Sequence, residues 1–172
     1  MAYESINLLY MKKLIPIFAL LLFVIGSCSE IKNEQPDIIT GDFPEKQQEI
    51  IDAVNTIVRD AETANLDGLK DIHLVSDKFT KFGPRSFERQ NVQQTNESEL
   101  AFFGSVTNYK EEVKDLKVDV FGEVGIATYY REVSAEQDGE VSNASLRQTL
   151  VFVNTEAGWK LVHEHGNRKG PN

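Results

Sequence analysis

At 172 residues the chain has room for one ordinary domain and an appendage. Its 41% hydrophobic content supports a packed core, and its formal charge of −9, with no Lys/Arg cluster beyond the N-terminal segment, argues against a nucleic-acid partner. The single cysteine, Cys28, excludes an intrachain disulfide.

Near the N-terminus, Met11-Lys12-Lys13 precedes the apolar run Leu14 to Ile25, broken only by Pro16. A basic start and a run of this length match a secretory signal peptide and are short for a bilayer span. Residues 1–10 add nothing to the signal, so Met11 is the alternative start. Ile25-Gly26-Ser27-Cys28 resembles the lipobox of bacterial lipoproteins. That resemblance implies cleavage before Cys28, lipid on its thiol, and anchoring in the bacterial cell envelope on the periplasmic or extracellular side. The expected organisation is a signal peptide over 1–27, a lipidated cysteine with a polar, aperiodic tether over 28–41, and a folded domain over 42–172.

The domain opens with Asp42 and Glu45 spaced as a capping box around Pro44. Ile50, Ile51, Val54, Ile57, Val58 and Ala61 then recur at helical spacing, which predicts an amphipathic helix with that stripe in the core. A second short helix is predicted to reach about His73, and a strand over 79–82 to stop at Gly83-Pro84. The polar stretch 85–94 reads as a loop over a pocket mouth. Asn96 and Glu99 offer a second capping box for a third short helix.

Alternation over 113–121 and 124–133 predicts two strands joined at Gly122-Glu123, and Asp138-Gly139 marks the next hairpin tip. The last hairpin is the best defined. Leu150 to Val153 suit a buried strand, Asn154 to Gly158 supply the turn, and Trp159, Leu161, His163 and His165 alternate after it. This turn length predicts that Val153 faces Trp159, Thr149 faces His163 and Arg147 faces His165. The whole is an α+β order: three helices interleaved with one short strand, then a four-strand meander. Three short helices leave one sheet face uncovered, which predicts a homodimer.

The residues Arg147, Thr149-Leu-Val-Phe152 and Gly158-Trp-Lys-Leu-Val-His163-Glu-His165 resemble the close of the SnoaL-like group of nuclear transport factor 2-like domains. Ala64-Asn-Leu-Asp-Gly-Leu69 resembles the joint between that family's first two helices. The resemblance covers about residues 44–168. It implies a cone-shaped, cystatin-like α+β fold, with N-terminal helices packed on a curved, mainly antiparallel sheet around a pocket.

Such folds host isomerases, cyclases, dehydratases and binding domains, so the fold leaves enzyme status open. Ketosteroid isomerase, which shares the fold, uses an Asp base and an oxyanion hole of Tyr and protonated Asp. The matching positions here hold Lys81 or Phe82, Ile57 and Thr149, so those groups are missing. The hairpin register gathers Arg147, Thr149, His163 and His165 as a candidate pocket wall, with Tyr130 and Arg131 contributed from the preceding strand. Leu150, Phe152 and Val162 form the opposite face, the alternative wall. His163 is the candidate acid–base residue. A metal would need a third ligand beside His163 and His165, and nothing in the spacing brings His73 to them, so hydrogen-bonded histidines are expected rather than a metal site. No cofactor is implied. The expected function is binding of a small organic ligand, an anion among the candidates. The alternatives are a cyclase or dehydratase-type enzyme using His163, and a non-catalytic dimerisation domain.

Overall fold

The computed structural model describes residues 37–170. The signal segment, Cys28 and most of the tether lie outside them. Helix α1, Pro44–Glu62, begins with proline in its first turn, where the missing N–H costs nothing. Phe43 stands at its N-cap without a side-chain cap bond, so the expected Asp42–Glu45 box does not form. Its predicted stripe is buried where it matters, at Ile50, Val54 and Ala61.

The joint to α2, Leu66–Ile72, is tight for a visible reason. Asn65 caps α2 by accepting from the Gly68 N–H and donates to the buried Asp60 carboxylate at 3.1 Å. A Cβ on Gly68 would lie 2.3 Å from that carboxylate, so only glycine permits this approach. Strand β1, Thr80–Phe82, follows. Helix α3, Val92–Phe103, carries a capping box at Asn91 and Gln94 rather than at the expected Asn96 and Glu99. Those two residues turn inward instead, Asn96 to the ring of His73 at 2.9 Å and Glu99 to Lys81.

Four long strands complete the domain: β2 Thr107–Phe121, β3 Val124–Gln137, β4 Glu140–Thr155 and β5 Gly158–Arg168. The sheet order is β1-β5-β4-β3-β2, antiparallel except for β1 against β5. Asp138 and Gly139, at φ 54° and 81°, make the tight hairpin that the Asp-Gly pair predicts. The helices cover one face of the sheet. There Ile50 and Val54 meet Tyr129, Leu150, Phe152 and Leu161, and Trp159 closes the layer with its indole N–H donating to Glu49 at 2.7 Å.

The last hairpin differs from its predicted register. Asn154 faces Trp159, Val151 faces His163, Thr149 faces His165, and Arg147 faces Asn167. Two physical causes account for the shift. The turn keeps only Glu156 and Ala157 outside the Thr155–Gly158 pair, and Val162 is an extra residue in β5, a bulge between the Phe152–Leu161 and Val151–His163 pairs. Because side chains alternate, one extra residue exchanges faces. Trp159 and Leu161 point to the helices before the bulge, Glu164 and Gly166 after it, and His163 and His165 turn to the open face. On β4 the helix-covered side belongs to Leu146, Gln148, Leu150 and Phe152, leaving Arg147 and Thr149 outside.

Candidate functional site

Between the helices and the inner sheet face lies a cavity of about 290 Å³, near the lower end of the usual range for small-molecule sites. Its walls are mostly apolar: Ile57 from α1, Leu69 and Ile72 from α2, Phe102 and Phe103 from α3, and Leu150 from β4. Three polar groups interrupt them.

The deepest is an ion cluster. Lys81, the inward residue of the three-residue strand β1, places its ammonium 2.8 Å from Glu99 Oε1 and 2.9 Å from Glu164 Oε2. Gln148 donates to the other oxygen of Glu164 at 3.0 Å, and His73 Nε2 stands 3.9 Å from Glu99. Burial alone would depress the Lys81 pKa, but Glu164 and Glu99 outweigh it and hold it above the ordinary lysine value. For Glu164, burial pushes the pKa up, yet Lys81 and then Arg131 hold it well below the ordinary glutamate value.

Along the side wall, Arg131 meets Glu111 at 3.3 and 3.4 Å, and the Tyr109 hydroxyl donates to Glu111 at 2.6 Å. Burial and then Glu111 push the Tyr109 pKa up, so the phenol remains a neutral donor. At the mouth, Arg85 lies over the Phe102 ring at 3.7 Å, and Arg168 lines the same opening. Neither arginine has an ion-pair partner among the described residues. Burial and then the Arg168 cation push the Arg85 pKa below the ordinary arginine value.

Four buried side-chain atoms among the described residues lack a hydrogen-bond partner, and three belong to this cavity: Glu99 Oε2, Arg131 Nε and Gln148 Oε1. Buried polar groups are ordinarily hydrogen-bonded, so these three atoms are the least satisfied part of the site. His73, Glu99 and Glu164 offer atoms within 4.8 Å of one another, a spacing a metal ion could use. The Lys81 ammonium already stands between the two carboxylates, where that cation would sit, so the donor set is neutralised by the protein itself.

The residues singled out from sequence divide between the two faces. Arg131 lines the cavity. Tyr130, Arg147, Thr149 and His165 do come together, but in a groove of about 330 Å³ on the open face of the sheet. Their predicted place on the wall beneath the helices is therefore corrected: the one-residue shift at the turn leaves Arg147 and Thr149 outside, and the bulge at Val162 turns His165 to the same face. His163 sits beside that groove, its ring nitrogen 2.8 Å from Thr80 Oγ1. Burial and then His165 push its pKa below the ordinary histidine value. Of the positions matching ketosteroid isomerase, Ile57 and Lys81 line the cavity and Thr149 does not. Sequence reasoning missed Lys81, Glu99, Glu164 and Gln148 as one unit. The available signal was alternation from the apolar Phe79, which puts Lys81 on the same side of the strand.

A family model described as SnoaL-like domain matches residues 50–167. No curated protein sequence matches the chain. Among solved structures, a nuclear transport factor 2-like superfamily protein from Salmonella enterica serovar Typhimurium aligns at TM-score 0.68 and 18% identity, covering 74% of this chain and 94% of that one. A ketosteroid isomerase-like protein from Erwinia carotovora atroseptica aligns at 0.63 and 16%, covering 75% and 100%. A nuclear transport factor 2-like protein with a cystatin-like fold from Novosphingobium aromaticivorans aligns at 0.60 and 14%, covering 74% and 84%. At such identities the likeness carries the α+β cone fold and no activity.

Proposed function

Because this chain belongs to the SnoaL-like domain family, we propose that its helix-covered cavity binds a small organic acid. The carrying observation is the pair of guanidiniums, Arg85 and Arg168, without carboxylate partners among the described residues at the mouth of a largely apolar cavity. Cations that crowd one another favour an anion between them, and a planar carboxylate matches the guanidinium fork. The apolar body of the ligand then lies against Phe102, Phe103 and Leu150.

Binding is favoured over catalysis because each cavity carboxylate is already paired with a cation, with only Glu99 Oε2 left without a hydrogen-bond partner among the described residues. Glu99 and Glu164 hold Lys81, and Glu111 holds Arg131 and Tyr109. A fixed cation beside a carboxylate opposes its taking up a proton. The enzyme alternative based on His163 would have to work on the open sheet face, away from the cavity.

Two further elements complete the proposal. The open face presents Ile126, Tyr130 and Val151 unshielded by helices, a surface suited to a second copy. Lipid on Cys28 would hold the domain at the envelope membrane. Native mass spectrometry of the protein extracted in mild detergent tests ligand and assembly together: the expected species is a two-chain mass carrying a small acidic adduct. A ligand-free spectrum, together with no binding of simple carboxylates by calorimetry, would overturn the ligand proposal; a one-chain mass at tens of micromolar would overturn the dimer. Cys28→Ala is expected to move the protein from the membrane fraction to the soluble fraction. A variant that still sediments with membranes would sink the anchor.

A further inference from the structure

We propose that the end of the domain around the β2–β3 turn rests on the lipid surface, with Ile38, Ile39, Phe121 and Val124 at the headgroup–acyl boundary. The inference rests on the anchoring of Cys28 proposed above and adds which part of the domain meets the bilayer.

The first described residues form a closed turn. The Asp37 carboxylate accepts from the N–H groups of Ile39 at 2.7 Å and Thr40 at 3.0 Å, and the Gly41 N–H donates to the Asp37 carbonyl at 2.7 Å. This turn holds Ile38 and Ile39 outward, 56% and 73% exposed. Ile38 lies on the β2–β3 turn, since a Cβ on Gly122 would be 3.4 Å from its Cγ2. Phe121 and Val124 flank that glycine as a cross-strand pair, and both are exposed. Thus four of the ten large hydrophobic residues exposed among the described residues gather at one end. Single exposed apolar side chains are ordinary, but a cluster fixed by a hydrogen-bonded turn marks an interaction surface.

The neighbouring carboxylates are partly compensated. Asp37 is engaged by its own turn, and Glu123 receives Lys46 at 2.7 Å, while the same ammonium donates to the Gly122 carbonyl at 2.9 Å. Chain length selects the occupant. Asp37 follows Cys28 by nine residues, so full extension gives at most about 32 Å between the lipidated residue and this end. The opposite end of β3, at the Asp138-Gly139 hairpin, is fourteen strand residues away, about 45 Å further along the sheet. Of the two ends of the sheet, the apolar one is the one the tether delivers to the bilayer.

The test uses the full chain in vesicles of phosphatidylethanolamine and phosphatidylglycerol. Ile38→Cys, Ile39→Cys and Val141→Cys each carry a polarity-sensitive fluorophore, and some of the lipids carry a doxyl quencher. Val141 is exposed near the far hairpin and serves as the control. Emission at positions 38 and 39 is expected to fall about twofold or more with quencher lipid, against little change at 141, as for side chains seated in the interface. Flotation reports separately whether the chain is on the vesicles. Bound protein with equal quenching at all three positions would overturn the docking surface and leave the anchor standing. A chain that does not float would overturn the anchor, and the docking surface with it. Shielding of positions 38 and 39 without lipid that rises with protein concentration would assign the patch to a second copy instead.

Discussion

Lys81→Met is expected to cost the folded domain about 3–5 kcal/mol, the usual result of removing one partner from a buried ion cluster. The Lys81 side chain is 10% exposed, and its ammonium stands within 2.9 Å of the carboxylates of Glu99 and Glu164, whose side chains are 17% and 11% exposed. Methionine fills the volume but leaves two anions facing each other in an apolar cavity. Removing one of those anions as well, in Lys81→Met with Glu164→Gln, is expected to recover part of the loss, because Gln148 can then pair with an amide. Urea denaturation of the two variants and the native chain measures both steps. A single variant within about 0.5 kcal/mol of the native chain, the ordinary surface range, would mean that the cluster carries no structural weight.

The same cluster fixes how stability depends on pH. The Glu164 pKa is lower in the folded state than its ordinary 4.5. Its contribution is therefore complete above pH 4.5 and is lost as pH falls from there through the folded value. The Lys81 pKa is raised above 10.5, so its contribution is complete below pH 10.5 and is lost as pH rises through the folded value. Between these limits the contribution of Lys81 and Glu164 is flat.

The second large effect concerns the mouth. Arg85→Ala combined with Arg168→Ala is expected to weaken carboxylate binding roughly 30- to 1,000-fold, the loss of two charge-assisted contacts discounted for solvent at the opening. Calorimetry with benzoate and with uncharged benzamide separates charge from shape. The native chain is expected to prefer benzoate, with affinity falling as salt rises, and the double variant to show neither property. Stability should change little, because the two cations have no ion pair among the described residues to lose and their mutual repulsion is removed with them. His163→Ala, on the other face, is expected to leave benzoate binding unaltered. Benzoate affinity that survives the double variant but falls in His163→Ala would move the ligand to the open groove.

The division between what was legible in the chain and what was not follows from the range of the interactions. The α1 stripe, the Asp138-Gly139 hairpin and the pairing of the last two strands are set by residues near one another in sequence. Periodicity, turn chemistry and capping residues express them directly. The α3 cap was misplaced because Asn96 and Glu99 have the right spacing, but His73 and Lys81 claim their side chains through space.

The candidate site escaped the sequence for a sharper reason. Strict alternation over Trp159, Leu161, His163 and His165 assigns all four to one face, and one bulged residue, Val162, sends the histidines to the other. A bulge answers to the packing of Trp159 and Leu161 beneath the helices and of Glu164 against Lys81, not to any local signal. By itself the sequence determined the α+β order, the family likeness and the residue types available, because secondary structure and strand pairing rest on local pattern. Only the tertiary structure decided which face each residue serves. Lys81, Glu99 and Glu164 come from three separate elements, and no local rule states the charge balance that joins them.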